Sequence, residues 1–300
     1  MKLTILGCHS ASPHKNKNPS AQLLEIKGHR FLIDCGEGTQ VQLRKAKVSF
    51  AHIKHIFISH LHGDHFYGLP GLVSSFRLLG REAPLHIYGP KGIKEALTLL
   101  LKLANSWTNF PLHFHELSSD SSVCIFEDNE VSAHTIPLNH RVYTNGFLFA
   151  EKKGLRRVNI EKAKQENVDT SQLRLLQLGQ DITLESGIVV KNKAVTFDPE
   201  TPKKYAYCSD TAYLPAIVPL LKGVDWLYHE ATFLEQHASL ALQTKHSTAR
   251  QAATIAHDAN VGRLIIGHYS SRYKDICLFE EEASQVFKNV TLASDGLVIS

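Results

Sequence analysis

Residues 59–65 read SHLHGDH, and the serine closes the apolar run HIFIS (55–59). Three imidazoles and one carboxylate fall within six positions, as His60, His62, Asp64 and His65. An apolar run this short predicts a buried strand. In an extended segment residues 60 and 62 project to the same side, so two imidazoles can share one ion. Gly63 then permits a sharp turn. Beyond it Asp64 and His65 open a helix and can face a second ion, about 3.5–4 Å from the first. Imidazole nitrogen with carboxylate oxygen suits zinc, and paired ions suit hydrolysis. A strand end holds the first pair and a helix start the second, which makes the arrangement rigid. The competing reading is a histidine-rich polar loop without chemistry; the strand before H-x-H-x-D-H argues against it.

Two ions need more ligands, and these are expected at strand ends on the same rim. His140 follows the apolar run TIPL, Asp210 follows YAYCS and His268 follows RLIIG. Taken singly, each reads equally well as ligand or bystander. After H-x-H-x-D-H they read together as a set, with Asp210 able to bridge because a carboxylate has two oxygens. Most of the eighteen histidines take a plainer reading. His9, His52, His55, His86, His113, His115, His134, His237 and His257 show no partner pattern. His229 reads as packing or as a support for a ligand, and Cys208 as an inert core residue.

Short apolar runs at 3–8, 21–27, 29–36, 55–59, 85–89, 123–127, 131–138, 145–150, 204–209, 225–231 and 263–268 predict strands. Lys27-Gly28 splits the second from the third as a hairpin turn. Helical patterns fall at 39–46, 65–79, 91–105, 213–222, 247–259 and 278–287. Both halves of the 300-residue chain mix the two periods, which predicts an α/β fold (α+β layered) of packed sheets, each faced by helices. A hydrophobic share of 43% allows a sizeable core, and a net charge of +4 permits a polyanionic partner without requiring one. Five widely spaced cysteines with no CxxC pair argue against a disulfide framework. No apolar run is long enough for a membrane helix, and no signal peptide is apparent, so a cytoplasmic location is the default. Residues 151–181 stand apart: seven Lys/Arg against five Asp/Glu, with the basic residues concentrated at the start. They read as a solvated insertion or as an arm touching an anionic partner.

With these residues in place, the chain resembles the metallo-β-lactamase fold superfamily, whose signature is His-x-His-x-Asp-His followed by His, Asp and His. Within it the chain is similar to the short-form ribonuclease Z family of tRNA 3′-processing endonucleases. The resemblance spans the chain and rests also on PHKNKN (13–18), LIDCGEGTQVQL (32–43), HEAT (229–232), HST (246–248) and GHYSSRY (267–273). It implies an αβ/βα sandwich of two mixed β-sheets flanked by helices, as one domain over 1–300 with a flexible arm inserted at about 151–181. It implies two zinc ions per subunit, with other divalent ions as alternatives. One ion would lie on His60, His62 and His140. The other would lie on Asp64, His65 and His268, with Asp210 bridging. Asp64 would be the proton acceptor, and Glu230 and His246 the acid/base pair near the leaving group. The residues alone leave other roles open: His246 flanks a helix N-cap in HST, and Glu230 stands where it could orient a ligand histidine.

The products implied are a tRNA with a 3′-hydroxyl and a trailer with a 5′-phosphate. The partners implied are a tRNA precursor and a second copy of the chain, with no membrane and no organic cofactor. Substrate contacts are expected at Lys15 and Lys17 in the loop after the first strand, at Arg156 and Arg157 in the arm, and at Arg272. Two departures from the family stand out. Lys17 replaces the usual arginine and loses the planar fork that grips phosphate. The arm also lacks a Gly-Pro-rich tip. The main rival is a hydrolase of the same fold acting on a small phosphodiester or thioester. HEAT, HST and the basic arm argue against it.

Overall fold

The computed structural model describes residues 1–12 and 15–300. Pro13 and His14, which open the PHKNKN stretch, lie outside the described residues. The chain begins as an antiparallel meander, β1 (Lys2–Gly7), β2 (Ala21–Ile26) and β3 (His29–Ile33). The β2–β3 turn is Lys27-Gly28, both in the left-handed region at φ 45° and 81°, as a tight hairpin turn demands. Parallel strands joined by helices follow: α1 (Thr39–Lys45), β4 (His55–Phe57), α2 (Gly63–Phe66), α3 (Gly68–Leu78), β5 (Leu85–Pro90), α4 (Ile93–Leu103) and β6 (Leu112–Leu117).

A second sheet repeats the plan. It opens with the meander β7 (Cys124–Glu127), β8 (Val131–Pro137) and β9 (Asn145–Glu151). The chain then leaves the sheet for residues 152–203. That excursion contains β10 (Arg157–Val158), α5 (Ile160–Gln165), α6 (Leu173–Gln177), β11 (Ile182–Thr183), β12 (Val189–Val190), α7 (Asn192–Val195) and β13 (Thr196–Phe197). It returns as β14 (Lys204–Cys208), antiparallel to β9, and continues through α8 (Val218–Leu221), β15 (Trp226–Glu230), α9 (Ala238–Thr244), α10 (Ala249–Asp258), β16 (Arg263–Gly267), α11 (Cys277–Ala283) and β17 (Val290–Leu292). The last strand, β18 (Val298–Ile299), crosses back to pair with β1. Among the described residues this gives two mixed seven-stranded sheets, ordered β18-β1-β2-β3-β4-β5-β6 and β17-β16-β15-β14-β9-β8-β7.

Alternation along β4 shows how the layers assemble. Phe57 points between the sheets with Phe31, Phe147, Phe149 and Tyr205, while Ile56 and Ile58 point the other way, against Leu72, Phe76 and Leu97 of α3 and α4. Strands apolar on both faces read as continuous runs in sequence, which is why they were legible there. The expected 65–79 helix is interrupted at Tyr67, between α2 and α3. The helix expected at 213–222 is a 3-10 turn over Pro215–Ile217 followed by the short α8, since Pro215 and Pro219 cannot continue a helical hydrogen-bond ladder.

Residues 151–181 lie in a longer excursion than the charge pattern suggested. It runs to residue 203 and folds around its own core of Ala163, Val168, Leu176, Ile182, Val190 and Val195. Its apolar residues are too sparse along the chain to show a period.

The ends of β3, β4, β14, β15 and β16 open on one rim. Three residues just past them, Asp34, Asp210 and His268, hold φ of 58°, 55° and 63°. Left-handed backbone is costly for such residues and concentrates where a side chain must be aimed.

Candidate metal centre

His60 and His62 leave the end of β4, and His62 is the residue immediately before α2. His140 comes from the loop between β8 and β9, Asp210 from the exit of β14 and His268 from the exit of β16. The structure brings these together with Asp64 and His65 of α2 as two clusters. In the first, His62 Nδ1 lies 2.9 Å from His60 Nε2 and 3.3 Å from His140 Nε2, while Asp210 Oδ2 lies 3.5 Å from His60 Nε2 and 3.7 Å from His140 Nε2. In the second, His268 Nε2 lies 3.4 Å from His65 Nε2 and 3.3 Å from Asp64 Oδ2, and Asp210 Oδ1 lies 3.3 Å from His65 Nε2 and 3.2 Å from His268 Nε2. Asp210 therefore offers one oxygen to each cluster. Four ligands about 2.0–2.1 Å from a tetrahedral ion sit about 3.3 Å from one another, so these separations fit the group.

The far ring nitrogens supply an independent test. A histidine that ligates through Nε2 must carry its proton on Nδ1 and donate it to a fixed acceptor. His65 Nδ1 meets Asp34 Oδ2 at 2.7 Å, His60 Nδ1 meets Ser59 Oγ at 3.0 Å, His140 Nδ1 meets the Lys245 carbonyl at 2.9 Å and His268 Nδ1 meets Thr232 Oγ1 at 2.9 Å. Each leaves an Nε2 lone pair facing its cluster. Asp34 is fully buried and also accepts the Ser59 amide (2.7 Å) and hydroxyl (2.9 Å) and the Tyr207 hydroxyl (2.6 Å). One carboxylate thus sets the orientation of two histidines, His65 directly and His60 through Ser59. The strand-exit signal that marks Asp210 is also present at Asp34 in LID (32–34), and it is the sequence feature that points to this residue.

Charge follows the same plan. Burial would raise the Asp64 carboxyl, but His65 and His268 hold it well below the usual carboxylate range. Burial opposes charge on His65, yet Asp210, Asp64 and Asp34 raise its pKa above the ordinary imidazole value. Burial takes His140 down to about 4. Burial and then His60 lower His62, and the Arg141 guanidinium adds to that.

Gly63 has a different role from the expected one. It is not among the glycines with left-handed φ; instead, a Cβ there would overlap the Tyr67 ring.

Beside the clusters stands a buried ion pair. Glu230 Oε1 accepts from His246 Nδ1 at 2.7 Å and from the Thr211 amide at 3.0 Å, and Oε2 accepts from the Thr232 hydroxyl at 2.7 Å. Burial opposes charge on His246, but Glu230 raises it to about 9. The His246 ring lies 5.1 Å from that of His140 and 5.4 Å from that of His268, centroid to centroid. Through Thr232, Glu230 also orients His268. Glu230 therefore pairs with His246 and also supports a candidate ligand histidine. Thr248, rather than His246, caps α10, with a capping box to Gln251.

A cleft of about 420 Å³ opens over both clusters and is lined by His62, Asp64, Asp210, His246 and His268 together with Arg141, which the sequence reading missed. A neighbouring cleft of about 610 Å³ shares Asp64 and is lined by Lys17 and Tyr67. Lys15 is exposed on the same loop as Lys17. Arg156 is held by Thr196 Oγ1 and by an ion pair to Asp198, whereas Arg157 is exposed and stacks over Phe197 at 5.1 Å. Arg272 is exposed just past His268 and lines neither cleft.

A family model described as Anti-Pycsar protein Apyc1 matches residues 1–148, a span that holds the 60–65 motif and His140 but neither Asp210 nor His268. The chain is 45% identical over 299 residues to "Ribonuclease Z" of Bacteroides fragilis, covering 100% of this chain and 98% of that protein. Among solved structures it is similar to human tRNase Z, short form, with a TM-score of 0.73 and 28% identity over 100% of this chain and 99% of that one. It also shares its fold with the metallo-β-lactamase fold protein YhfI from Bacillus subtilis, with a TM-score of 0.71 at 18% identity over 100% and 99% of the two chains.

Proposed function

The chain belongs to the ribonuclease Z family, and from that premise we propose that it is an endoribonuclease that removes the 3′ trailer from tRNA precursors. The products are a tRNA ending in a 3′-hydroxyl and a trailer beginning with a 5′-phosphate. His60, His62 and His140 would hold one divalent ion, Asp64, His65 and His268 a second, and Asp210 both; zinc suits this donor set best. When bound, two such ions neutralise the phosphodiester and make water nucleophilic at neutral pH. Asp64, on the wall of the cleft, accepts the proton that the attacking water gives up. His246, charged through Glu230, donates a proton to the leaving 3′-oxygen.

The observation that carries this reading is the buried His246–Glu230 pair beside the two clusters. A ribose alkoxide is a poor leaving group and needs a proton. A thiolate, the leaving group of a thioester, does not. The excursion at 152–203, with Arg157 exposed, supports a grip on the tRNA body away from the cut. The single-domain arrangement with that excursion as the tRNA-binding arm follows from the same reading. Lys15, Lys17 and Arg272 remain candidate phosphate contacts around the rim. The helices over the first sheet leave Val41, Leu78, Leu99 and Leu103 exposed. That supports a homodimer in which one subunit's arm presents tRNA to the other's cleft. Among the described residues no helix is long and apolar enough to cross a membrane, and we place the activity in the cytoplasm, where tRNA precursors are.

The deciding assay incubates zinc-loaded protein with a precursor carrying a 3′ trailer and maps both new ends. A cut next to the discriminator nucleotide is expected, and Asp64→Ala should lower its rate by at least about 10²-fold. An uncut precursor would sink the reading.

A further inference from the structure

The rim of the metal cleft carries a guanidinium that makes no hydrogen bond or ion pair among the described residues. Arg141 follows His140 directly and lines the cleft beside His62 and His246. Its backbone is pinned from both sides. His140 Nδ1 donates to the Lys245 carbonyl at 2.9 Å, and Lys245 Nζ donates back to the His140 carbonyl at 3.1 Å. The Asn139 amide donates to Thr211 Oγ1 at 3.2 Å, and the Ala212 amide returns a bond to the Asn139 carbonyl at 2.9 Å. Thr144 Oγ1 donates to the Val142 carbonyl at 3.0 Å. The Arg141 side chain is exposed, and among the described residues its guanidinium has no hydrogen bond or ion pair. A fixed stem with an unused planar fork is preorganised for a carboxylate or phosphate oxygen.

Depth decides which phosphate. The metal-ligand candidates His60, His65, His140, Asp210 and His268 are all buried at the floor, so the scissile phosphate belongs there. Arg141 stands at the rim, on the wall that carries His246, the proton donor to the leaving 3′-oxygen. That oxygen belongs to the last nucleotide of the tRNA, whose other phosphate is the next anion along the chain on the same side of the cut. Resting on the functional reading above, we propose that Arg141 binds the phosphate immediately 5′ of the cleaved linkage and so fixes the tRNA terminus over the ions.

The test compares two precursor RNAs, both 2′-O-methylated at the second nucleotide before the cut, whose 2′-hydroxyl would otherwise attack a neutral linkage on its 3′ side. One is all-phosphate; the other carries a neutral methylphosphonate at the linkage 5′ of the cut. Wild-type and Arg141→Gln proteins are assayed on each, with Arg141→Lys as the charge-keeping control. A charged hydrogen bond of ordinary strength sets the expected loss at roughly 10- to 100-fold in kcat/KM, either for wild type on methylphosphonate RNA or for Arg141→Gln on all-phosphate RNA. Arg141→Gln should lose nothing further on methylphosphonate RNA. Its kcat/KM should also fall less steeply with salt, by about 0.7 in the log–log slope, and Arg141→Lys should keep the wild-type slope. Bis(p-nitrophenyl) phosphate, which has no second phosphate, should be cut within about twofold of the wild-type rate, which also reports that the variant is folded and metal-loaded. Independent losses from variant and methylphosphonate, or a variant as fast as wild type on all-phosphate RNA, overturn the proposal. So does an equal loss on the small diester. A wild-type protein that leaves both RNAs uncut overturns the functional reading, and this inference with it.

Discussion

Asp34 shows how one side chain can govern a site it does not enter. It accepts four hydrogen bonds and touches neither cluster directly except through His65 Nδ1. Asp34→Asn keeps the shape but turns an acceptor into a donor facing donors. We expect a loss of about 10- to 100-fold in metal affinity, read by chelator competition. An unchanged affinity would mean that backbone alone aims His60 and His65. Glu230 acts similarly on His246. With Glu230 in place His246 titrates near 9, so its acid form is present at neutral pH and is lost as pH rises through that value. Glu230→Gln should bring the alkaline limb of the pH–kcat profile down toward about 6.5, the ordinary imidazole value. It should also slow trailer removal about 10²-fold. With metal kept saturating, hydrolysis of a p-nitrophenyl diester should be spared, because p-nitrophenolate leaves without a proton. A limb that stays near 9 would remove the pairing from the mechanism.

Two elements show where sequence patterning reached and where it stopped. The ligand-bearing turns were legible because each follows a strand apolar on both faces. β6 lacks such a run: LHFHEL alternates apolar and polar residues, as a half-exposed strand on the sheet edge does. The plain reading of His55, His86, His113 and His115 as packing residues gains its detail from β6. His55, His86 and His113 are register neighbours on three parallel strands, with ring centroids 5.1 and 4.8 Å apart, and His115 stacks on Tyr88 at 4.2 Å. Only pairing across strands makes this row, so no single run of sequence could reveal it. Burial, then His86, His29 and His115, lower His55 to about 3. The unfolded chain binds that proton near 6.5. Stability from this row is therefore intact above about pH 6.5 and lost as pH falls below it. His55→Phe should reduce the drop in urea midpoint between pH 7.5 and 5, relative to wild type with the same metal centre. An identical drop would clear the row of this role. The excursion makes the second case. Ala150 pairs with Lys204, so its two ends are neighbours. Replacing 153–202 by a short glycine turn should leave the sheet intact, spare small-diester hydrolysis and weaken tRNA binding. Removing only 153–179 should instead destabilise the protein, because Ile182, Val190 and Val195 would lose the core they share with Leu176.

At the scale of the whole molecule, the two sheets present different outer faces. The second carries the excursion, while the first is covered by α1, α3 and α4. Leu78, at the end of α3, is 83% exposed, and Leu103, at the end of α4, is 75% exposed. Single exposed leucines are ordinary, but several on one helical layer support the proposed homodimer. The proposed second copy would account for both faces together, because the excursion of one subunit would then be free to hold tRNA for the cleft of the other. Leu78→Glu/Leu103→Glu tests this cleanly. Both side chains are exposed in the single chain, so the change should cost that chain no more than about 0.5 kcal/mol each. In a dimer each glutamate would be buried without a partner, at a cost of several kcal/mol. Light scattering should give twice the chain mass for wild type and the single-chain mass for the variant. Trailer removal should fall with the dimer, while p-nitrophenyl diester hydrolysis, which needs only one cleft, should stay within about twofold of the wild-type rate. A wild-type protein already at single-chain mass, or a variant monomer that processes tRNA at full rate, would leave each cleft to work with its own arm.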